Sequence, residues 1–283
     1  MEKSESQCKQ GSLVIAGCGL HPGHMTLETQ SHIQHADIVL VVAPNALSVQ
    51  QIRALNPNIE NLGLLYKEDT TRLQTYYLMV DRMEELVQSG KKVCTIYYGH
   101  PGIFVLSTHI ARDRLEQQGY SVKMLPGISA DACLFADLNL DPATTGCQAY
   151  ESTQFLLTAR DIDNGAALIL WQIGLVGEHT LKLQQPGKRG LSAITRLLME
   201  HYPSDHKVCL YEAPTLPGFD PRIDWIELED LPAASVKSIT TLVVPSYSEL
   251  NFAKERLEWL GLTEADLSAW DQPVKDEKEK AIN

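Results

Sequence analysis

Short apolar runs alternate with amphipathic stretches through the first half of the chain. SLVIAG ends in glycine and reads as a short buried strand, TLETQSHIQHA reads as a helix behind Thr26, and DIVLVVAP reads as a second buried strand stopped by Pro44. A helix over Ala46 to Leu55 precedes ENLGLLY. A longer helix then runs from Thr70 to Gln88, with Leu73, Tyr76, Val80, Met83 and Val87 on one face and Gly90 as its stop. KKVCTIYYG, a helix over Ile103 to Gln118, YSVKMLPG and a helix opened by Ser129 through ADACLFADL complete the series. Continuous apolar strands separated by helices predict a parallel sheet covered on both faces.

The rhythm changes after NLDPATTGCQAY. QAYESTQFLLT, AALILWQIG, HKVCLYEAP, DWIELEDL and SITTLVVP are strand-like, with one strong helix among them, LSAITRLLMEHY, and a last helix predicted over Tyr247 to Leu260. This pattern predicts a second α/β domain with a mixed sheet. The expected division is residues 11–142, residues 147–262, and a polar tail over residues 263–283 that is too charged to bury a core.

Composition narrows the class. A chain of 283 residues, 44% hydrophobic and 21% charged, is that of an ordinary globular protein with a large core. The N-terminus MEKSESQCKQGS lacks the apolar run of a signal peptide. No stretch approaches the ~18 apolar residues of a membrane helix, so the expectation is a cytoplasmic protein with no membrane partner. The six cysteines are scattered without a C-x-x-C pair and are read as reduced core packing. A formal net charge of −12 with no basic stripe argues against nucleic acid as a partner.

The loop GCGLHPGH places Gly17, Gly19 and Gly23 after the first strand, where a backbone must turn tightly or approach a ligand. It is not a dinucleotide fingerprint: the last glycine is one place late, Pro22 sits in the turn, and the second strand ends in Ala43 and Pro44 rather than an acid for a ribose. YYGHPGIF and LPGISADACLFADL also lie at the carboxyl ends of predicted parallel strands. Singly each reads as an ordinary turn, but three such loops after successive strands favour a cofactor cleft. His32 and His35 share a helix face but have no third ligand, so no metal is expected. His100 lies inside the Gly-Pro loop, either facing a ligand or bonding its own turn. Arg72 and Tyr76, four apart, share a face of the long helix, while Tyr77 points elsewhere; alone, this pattern also suits packing and a surface pair with Glu68.

Together these loops resemble the tetrapyrrole methylase superfamily, S-adenosylmethionine-dependent methyltransferases of two α/β domains with the cofactor in a cleft between them. GCGLHPG, YGHPGIF, LPGISADACLFADL, LWQIG, YEAP and SITTLVVP follow that family's order from about Gly11 to Leu262. YKEDTTRLQTY, YGHPGIFV and LPGISADACLFADLNLDP resemble more closely the borosin peptide backbone α-N-methyltransferases, and the expectation is the split, bacterial type. That resemblance implies methyl transfer to backbone amide nitrogens, with Tyr66 and Tyr76 as proton-abstracting and oxyanion-stabilising phenols and Arg72 orienting them. Tyr98 would line both methyl donor and amide, and which phenol is the base stays open. A neighbouring Arg would favour a phenolate.

The resemblance further implies cofactor contacts at Tyr98, His100, Ile103, Ser129, Ala130, Gln172, Tyr211 and Thr240, with S-adenosyl-L-homocysteine as product, and a homodimer. Gly63 stands where some relatives carry another tyrosine, which would thin the hydrogen-bond network. The fused fungal relatives carry a clasp and their own substrate peptide. This chain ends in a short charged tail, so a separate precursor peptide is expected in trans. Two other readings stay open: methylation of a tetrapyrrole or other small molecule, and an inactive peptide-binding module of the same fold.

Overall fold

The computed structural model describes residues 10–67, 70–178, 188–249 and 252–267. Among these, two compact units separate. One takes in the described residues up to Asp137 and a returning segment, Ala213–Pro221; the other takes in most of the described remainder from Leu138 onward.

The first unit is built in chain order from β1 (Ser12–Gly17), α1 (Leu27–His35), β2 (Ile38–Val42), α2 (Ala46–Leu55), β3 (Ile59–Asn61), α3 (Arg72–Gln88), β4 (Lys92–Tyr97), α4 (Leu106–Gln117), β5 (Ser121–Met124) and α5 (Ala130–Asp137). Its sheet has the order β3-β2-β4-β1-β5, and every pairing is parallel. Alternation within the strands divides the core between the two faces. Leu13, Ile15, Leu40 and Val93 pack on Met79, Val80, Met83 and Val87 of α3 with Ala111 and Leu115 of α4. Ala16, Val39, Val41, Cys94 and Ile96 pack on Ile33 of α1 and Ile52 of α2. Burial on both sides explains the uninterrupted apolar runs in the sequence.

The second unit contains α6 (Pro142–Thr145), β6 (Cys147–Glu151), α7 (Ser152–Leu157), β7 (Ala167–Trp171), α8 (Lys188–Leu198), β8 (Lys207–Glu212), β9 (Arg222–Glu227), β10 (Thr241–Val244) and α9 (Lys254–Trp259). Its sheet, β6-β7-β10-β8-β9, is mixed: β6 and β7 are parallel and the other pairs antiparallel. α8 buries Leu191, Ile194 and Leu198 against Leu168, Leu170, Leu210 and Leu242.

Several boundaries differ from the sequence reading. The helix expected from Ile103 starts at Leu106, because Phe104 adopts φ 55°, outside the helical region, and the Thr108 hydroxyl ties back to Pro101 O at 2.6 Å. QAYESTQFLLT changes from strand to helix midway: the Glu151 carboxylate accepts from the backbone N–H groups of Thr153 and Gln154 at 3.0 and 2.7 Å, capping α7. The last helix is shorter than predicted and buries no side chain, and Tyr247 is instead held by its N–H donating to Asn164 O at 2.7 Å. Most of the expected polar tail, with Cys8 and Glu68, lies outside the described residues. Among the described residues, no helix is long and apolar enough to cross a membrane.

At the carboxyl edge of the parallel sheet, three glycines touch backbone to backbone. A Cβ on Gly127 would lie 2.3 Å from Gly99 O and 2.8 Å from the Gly17 Cα, and a Cβ on Gly17 would lie 2.2 Å from the same oxygen. Backbone is the obstacle, so the loops themselves must move. Gly127→Ala is therefore expected to cost about 1–3 kcal/mol, read as a lowered denaturation midpoint in urea; a midpoint equal to wild type would contradict the close approach.

Candidate active site

The glycine contact fixes three loops on one edge. Gly19 and Gly99 form an isolated antiparallel bridge, with Gly99 N donating to Gly19 O at 2.9 Å, and Tyr98 N donates to Val42 O at 2.9 Å. The loop after β4 is thus pinned to the loop after β1 on one side and to the end of β2 on the other. Tyr97 is the last residue of the strand and faces inward, bonding Ser107 Oγ at 2.9 Å, and burial pushes its phenol up to about 12. Tyr98, one residue later, is released from the strand and half exposed.

On the same unit, β3 continues through a short 3-10 turn, Leu62–Leu65, to Tyr66, and α3 begins at Arg72. Thr71 caps α3 with a full capping box: its hydroxyl accepts from Gln74 N while Gln74 Oε1 accepts from Thr71 N. That cap sets the first turn, so Arg72 and Tyr76 stack one turn apart and the Arg72 Nε donates to the Tyr76 hydroxyl at 3.2 Å. Tyr66 lies close enough to Tyr76, Tyr98 and Arg72 to interact electrostatically with all three. The structure therefore brings Tyr66, Arg72, Tyr76 and Tyr98 together. Tyr77 points away, to the Arg114 guanidinium 5.5 Å from its ring centre.

The electrostatics correct one sequence expectation. Desolvation is the largest influence on Tyr66, followed by Tyr76 and Tyr98; together they outweigh the opposing Arg72 charge and hold the phenol above its ordinary range. Tyr98, half exposed as a residue, shifts the same way, for desolvation of its phenol group first and Tyr76 second. One guanidinium shared among three phenols does not make phenolates of Tyr66 and Tyr98; both rest as proton donors.

The other candidates divide between the units. His100 accepts from Gly102 N through Nδ1 at 3.0 Å, so it does bond its own turn. Ile103 is exposed beside the left-handed Phe104. Ser129 bonds the Asp131 carboxylate, and Ala130 starts α5. In the second unit, Gln172 is held left-handed at φ 57° just after β7, its carbonyl accepting from Ser152 Oγ at 3.0 Å. A non-glycine residue there costs of order 1–3 kcal/mol and marks a constrained position.

Neighbouring Ile173 N donates to Thr240 O at 2.9 Å, and Tyr211 pairs with Thr241 across β8 and β10, so Gln172, Tyr211 and Thr240 share one edge of the mixed sheet. The Thr240 hydroxyl is spent internally, donating to Glu212 at 2.6 Å and accepting from Lys237 N at 2.8 Å. Glu212 was not foreseen. It is buried, takes Arg222 and Lys237 as ion pairs at 2.7 and 2.8 Å, and those partners with Thr240 keep its carboxyl below the usual range despite burial. Its partners are 10 and 25 residues away, so local spacing does not reveal it.

With this geometry in view, the tetrapyrrole (corrin/porphyrin) methylase family matches residues 12–254. The chain belongs to this family. Three methylase relatives share substantial identity with it. A methyltransferase/ribosomally synthesized type II borosin cyclic peptide precursor from Phlebiopsis gigantea is 38% identical over 89% of this chain and 46% of its own. A type I borosin precursor of the same description from Coprinopsis marcescibilis is 37% identical over 84% of this chain and 62% of its own. The omphalotin A precursor from Omphalotus olearius is 34% identical over 86% and 60%.

The chain thus spans about half to three-fifths of the length of these relatives. Among solved structures, the uroporphyrin-III C-methyltransferase of Thermus thermophilus superposes with a TM-score of 0.60 at 19% identity, covering 84% of this chain and 93% of its own. A cobalt precorrin-4 methyltransferase gives 0.58 at 16%, covering 83% and 94%. These two carry the α/β methylase fold, with its parallel and mixed sheets.

A phenol held protonated in the folded state stabilises the fold below the unfolded value of about pH 10 and loses that contribution as pH rises further. Above about pH 10 the unfolding free energy of the wild type should fall more steeply than that of Tyr66→Phe. Parallel slopes in urea titrations at pH 9 to 12 would contradict the raised phenol.

Proposed function

We propose that this methylase transfers methyl groups from S-adenosylmethionine to backbone amide nitrogens of a peptide, supplied as a separate precursor. The observation that carries this reading is the Arg72–Tyr76 hydrogen bond, with the phenols of Tyr66 and Tyr98 within electrostatic reach of it. The relatives' names, which join methyltransferase to borosin peptide precursor, support it. The proposed donor contacts are Tyr98, His100, Ile103, Ser129, Ala130, Gln172, Tyr211 and Thr240, the last through its position rather than its hydroxyl. None is Lys or Arg, and Tyr98 offers an aromatic face and an oxygen, which suits a cationic sulfonium. The bound donor supplies an electrophilic methyl group and leaves as S-adenosyl-L-homocysteine.

The protein's task is the amide. Its nitrogen lone pair is delocalised into the carbonyl, so transfer requires loss of the N–H proton while charge gathers on the oxygen. Tyr66, which keeps its proton, donates to that oxygen. The Tyr76 oxygen, which receives the Arg72 N–H, accepts the amide proton as it gives up its own, with Arg72 balancing the developing charge. Tyr98 packs the amide against the methyl group. The new N–C bond replaces the N–H bond, and the proton passes from Tyr76 to solvent. A porphyrinoid substrate requires no such oxyanion donor set.

The test is coexpression with a tagged precursor peptide, with products read by mass spectrometry and donor affinity by calorimetry. Arg72→Ala and Tyr76→Phe should each slow methylation about 100- to 1,000-fold with donor affinity unchanged. Wild-type rates, or failure through lost donor binding, would overturn the assignment. The homodimer belongs to the same proposal: light scattering at twice the chain mass supports it and the mass of one chain contradicts it.

A further inference from the structure

A cavity of about 370 Å³ opens in the first unit, lined by His21, His24, Ile128, Ala132, Cys133, Ala136, Asp137 and Pro214. That volume falls in the range of roughly 300–1,000 Å³ typical of ligand sites. Its lining combines apolar residues, Ile128, Ala132, Ala136 and Pro214, with polar ones, His21, His24, Cys133 and Asp137. Two of the polar groups are fixed by the backbone. Leu20 N donates to His24 Nδ1 at 3.3 Å and Gly23 N donates to His21 Nδ1 at 3.1 Å. A neutral ring whose Nδ1 is an acceptor carries its proton on Nε2, so each histidine presents an Nε2–H donor. The rings lie 3.6 Å apart between centres. Burial, then His21, lowers the pKa of His24 against the opposing pull of Asp137, which keeps that ring neutral.

The cavity is continuous with the loops already described. The His24 Cβ lies where a side chain on Gly19 would sit, Gly19 bridges Gly99, and Gly99 follows Tyr98. Ile128 and Ala132 flank Ser129 and Ala130. A ligand in this cavity is therefore held by the same loop junction that carries Tyr98.

Resting on the peptide reading above, we propose that this cavity is a substrate subsite which takes an uncharged residue of the peptide, its apolar side chain against Ile128, Ala132, Ala136 and Pro214 and its backbone carbonyl accepting from the His21 and His24 Nε2–H groups. Donors without positive charge suit a carbonyl. The Asp137 carboxylate in the lining opposes a carboxylate guest, which distinguishes a neutral peptide from a polycarboxylate porphyrinoid.

The experiment measures binding rather than turnover, so it is separate from the test of methylation. The probe is a fluorescein-labelled, C-terminally amidated peptide of alternating valine and glycine, titrated by anisotropy into the full chain with S-adenosyl-L-homocysteine present. The variants are His21→Asn/His24→Asn, which keeps a side-chain acceptor for the backbone N–H groups and removes both Nε2 donors, and Ala132→Phe, which fills the cavity from an exposed position. Each should weaken peptide binding about tenfold while donor affinity, measured separately, stays unchanged. Peptide affinity within twofold of wild type in both variants overturns the inference. So does absence of probe binding to the wild type, weakened donor binding in Ala132→Phe, or equal affinity for a peptide with glutamate in place of valine. If the variants behave as expected but no precursor is ever methylated, the subsite stands and the methylation reading falls.

Discussion

Gly17, Gly99 and Gly127 end or follow strands that neighbour one another in the sheet, and their backbones meet where side chains would normally stand. Everything on that edge of the unit depends on this contact. It draws the loop after β1 against the loop after β4, makes the Gly19–Gly99 bridge possible, and so sets where Tyr98 leaves the strand and where His24 packs. In an open parallel sheet the carboxyl edge is the place where connections diverge and a ligand can enter. Here the absence of three β-carbons keeps that edge tightly joined.

A second constraint acts on charge. Tyr66, Tyr76 and Tyr98 share one guanidinium, and the phenols of Tyr66 and Tyr98 are held protonated by desolvation first and by Tyr76 second. An arrangement of this kind is asymmetric: Arg72 bonds directly to Tyr76, while its charge acts on Tyr66 and Tyr98 through space. The asymmetry divides the proposed labour between an acceptor next to the cation and donors farther out. It also means that the acidity of the cluster responds to what enters it, because desolvation and a cationic guest push the phenols in opposite directions.

Much of the first unit was legible because its strands are buried on both faces and its helices carry strong caps and stops. The parallel sheet follows from that periodicity, and the three loops from their glycines and prolines at the strand ends. Tyr66, Arg72, Tyr76 and Tyr98 were recognised by motif, and their mutual contact required the fold, since Tyr66 and Tyr98 come from different strand ends. The misread segments have local causes. Glu151 caps a helix inside an apparently continuous strand, and Phe104 in a left-handed conformation delays α4. The role expected of Arg72 came with the resemblance, and a neighbouring guanidinium alone suggested a phenolate, whereas Tyr66 and Tyr98 also answer to desolvation and to other phenols. Glu212 and the His21–His24 pair went unseen because their partners are backbone atoms or distant residues.

The central claim is that the phenol–guanidinium cluster acts on amide nitrogen. It is tested most directly by fragment-ion sequencing of a precursor peptide after incubation with the protein and a methyl donor carrying isotopic label. The account predicts labelled methyl groups on backbone nitrogens, surviving acid hydrolysis as N-methyl amino acids. Label confined to side chains or termini, or label transferred only to a porphyrinoid offered in the same reaction, would contradict it.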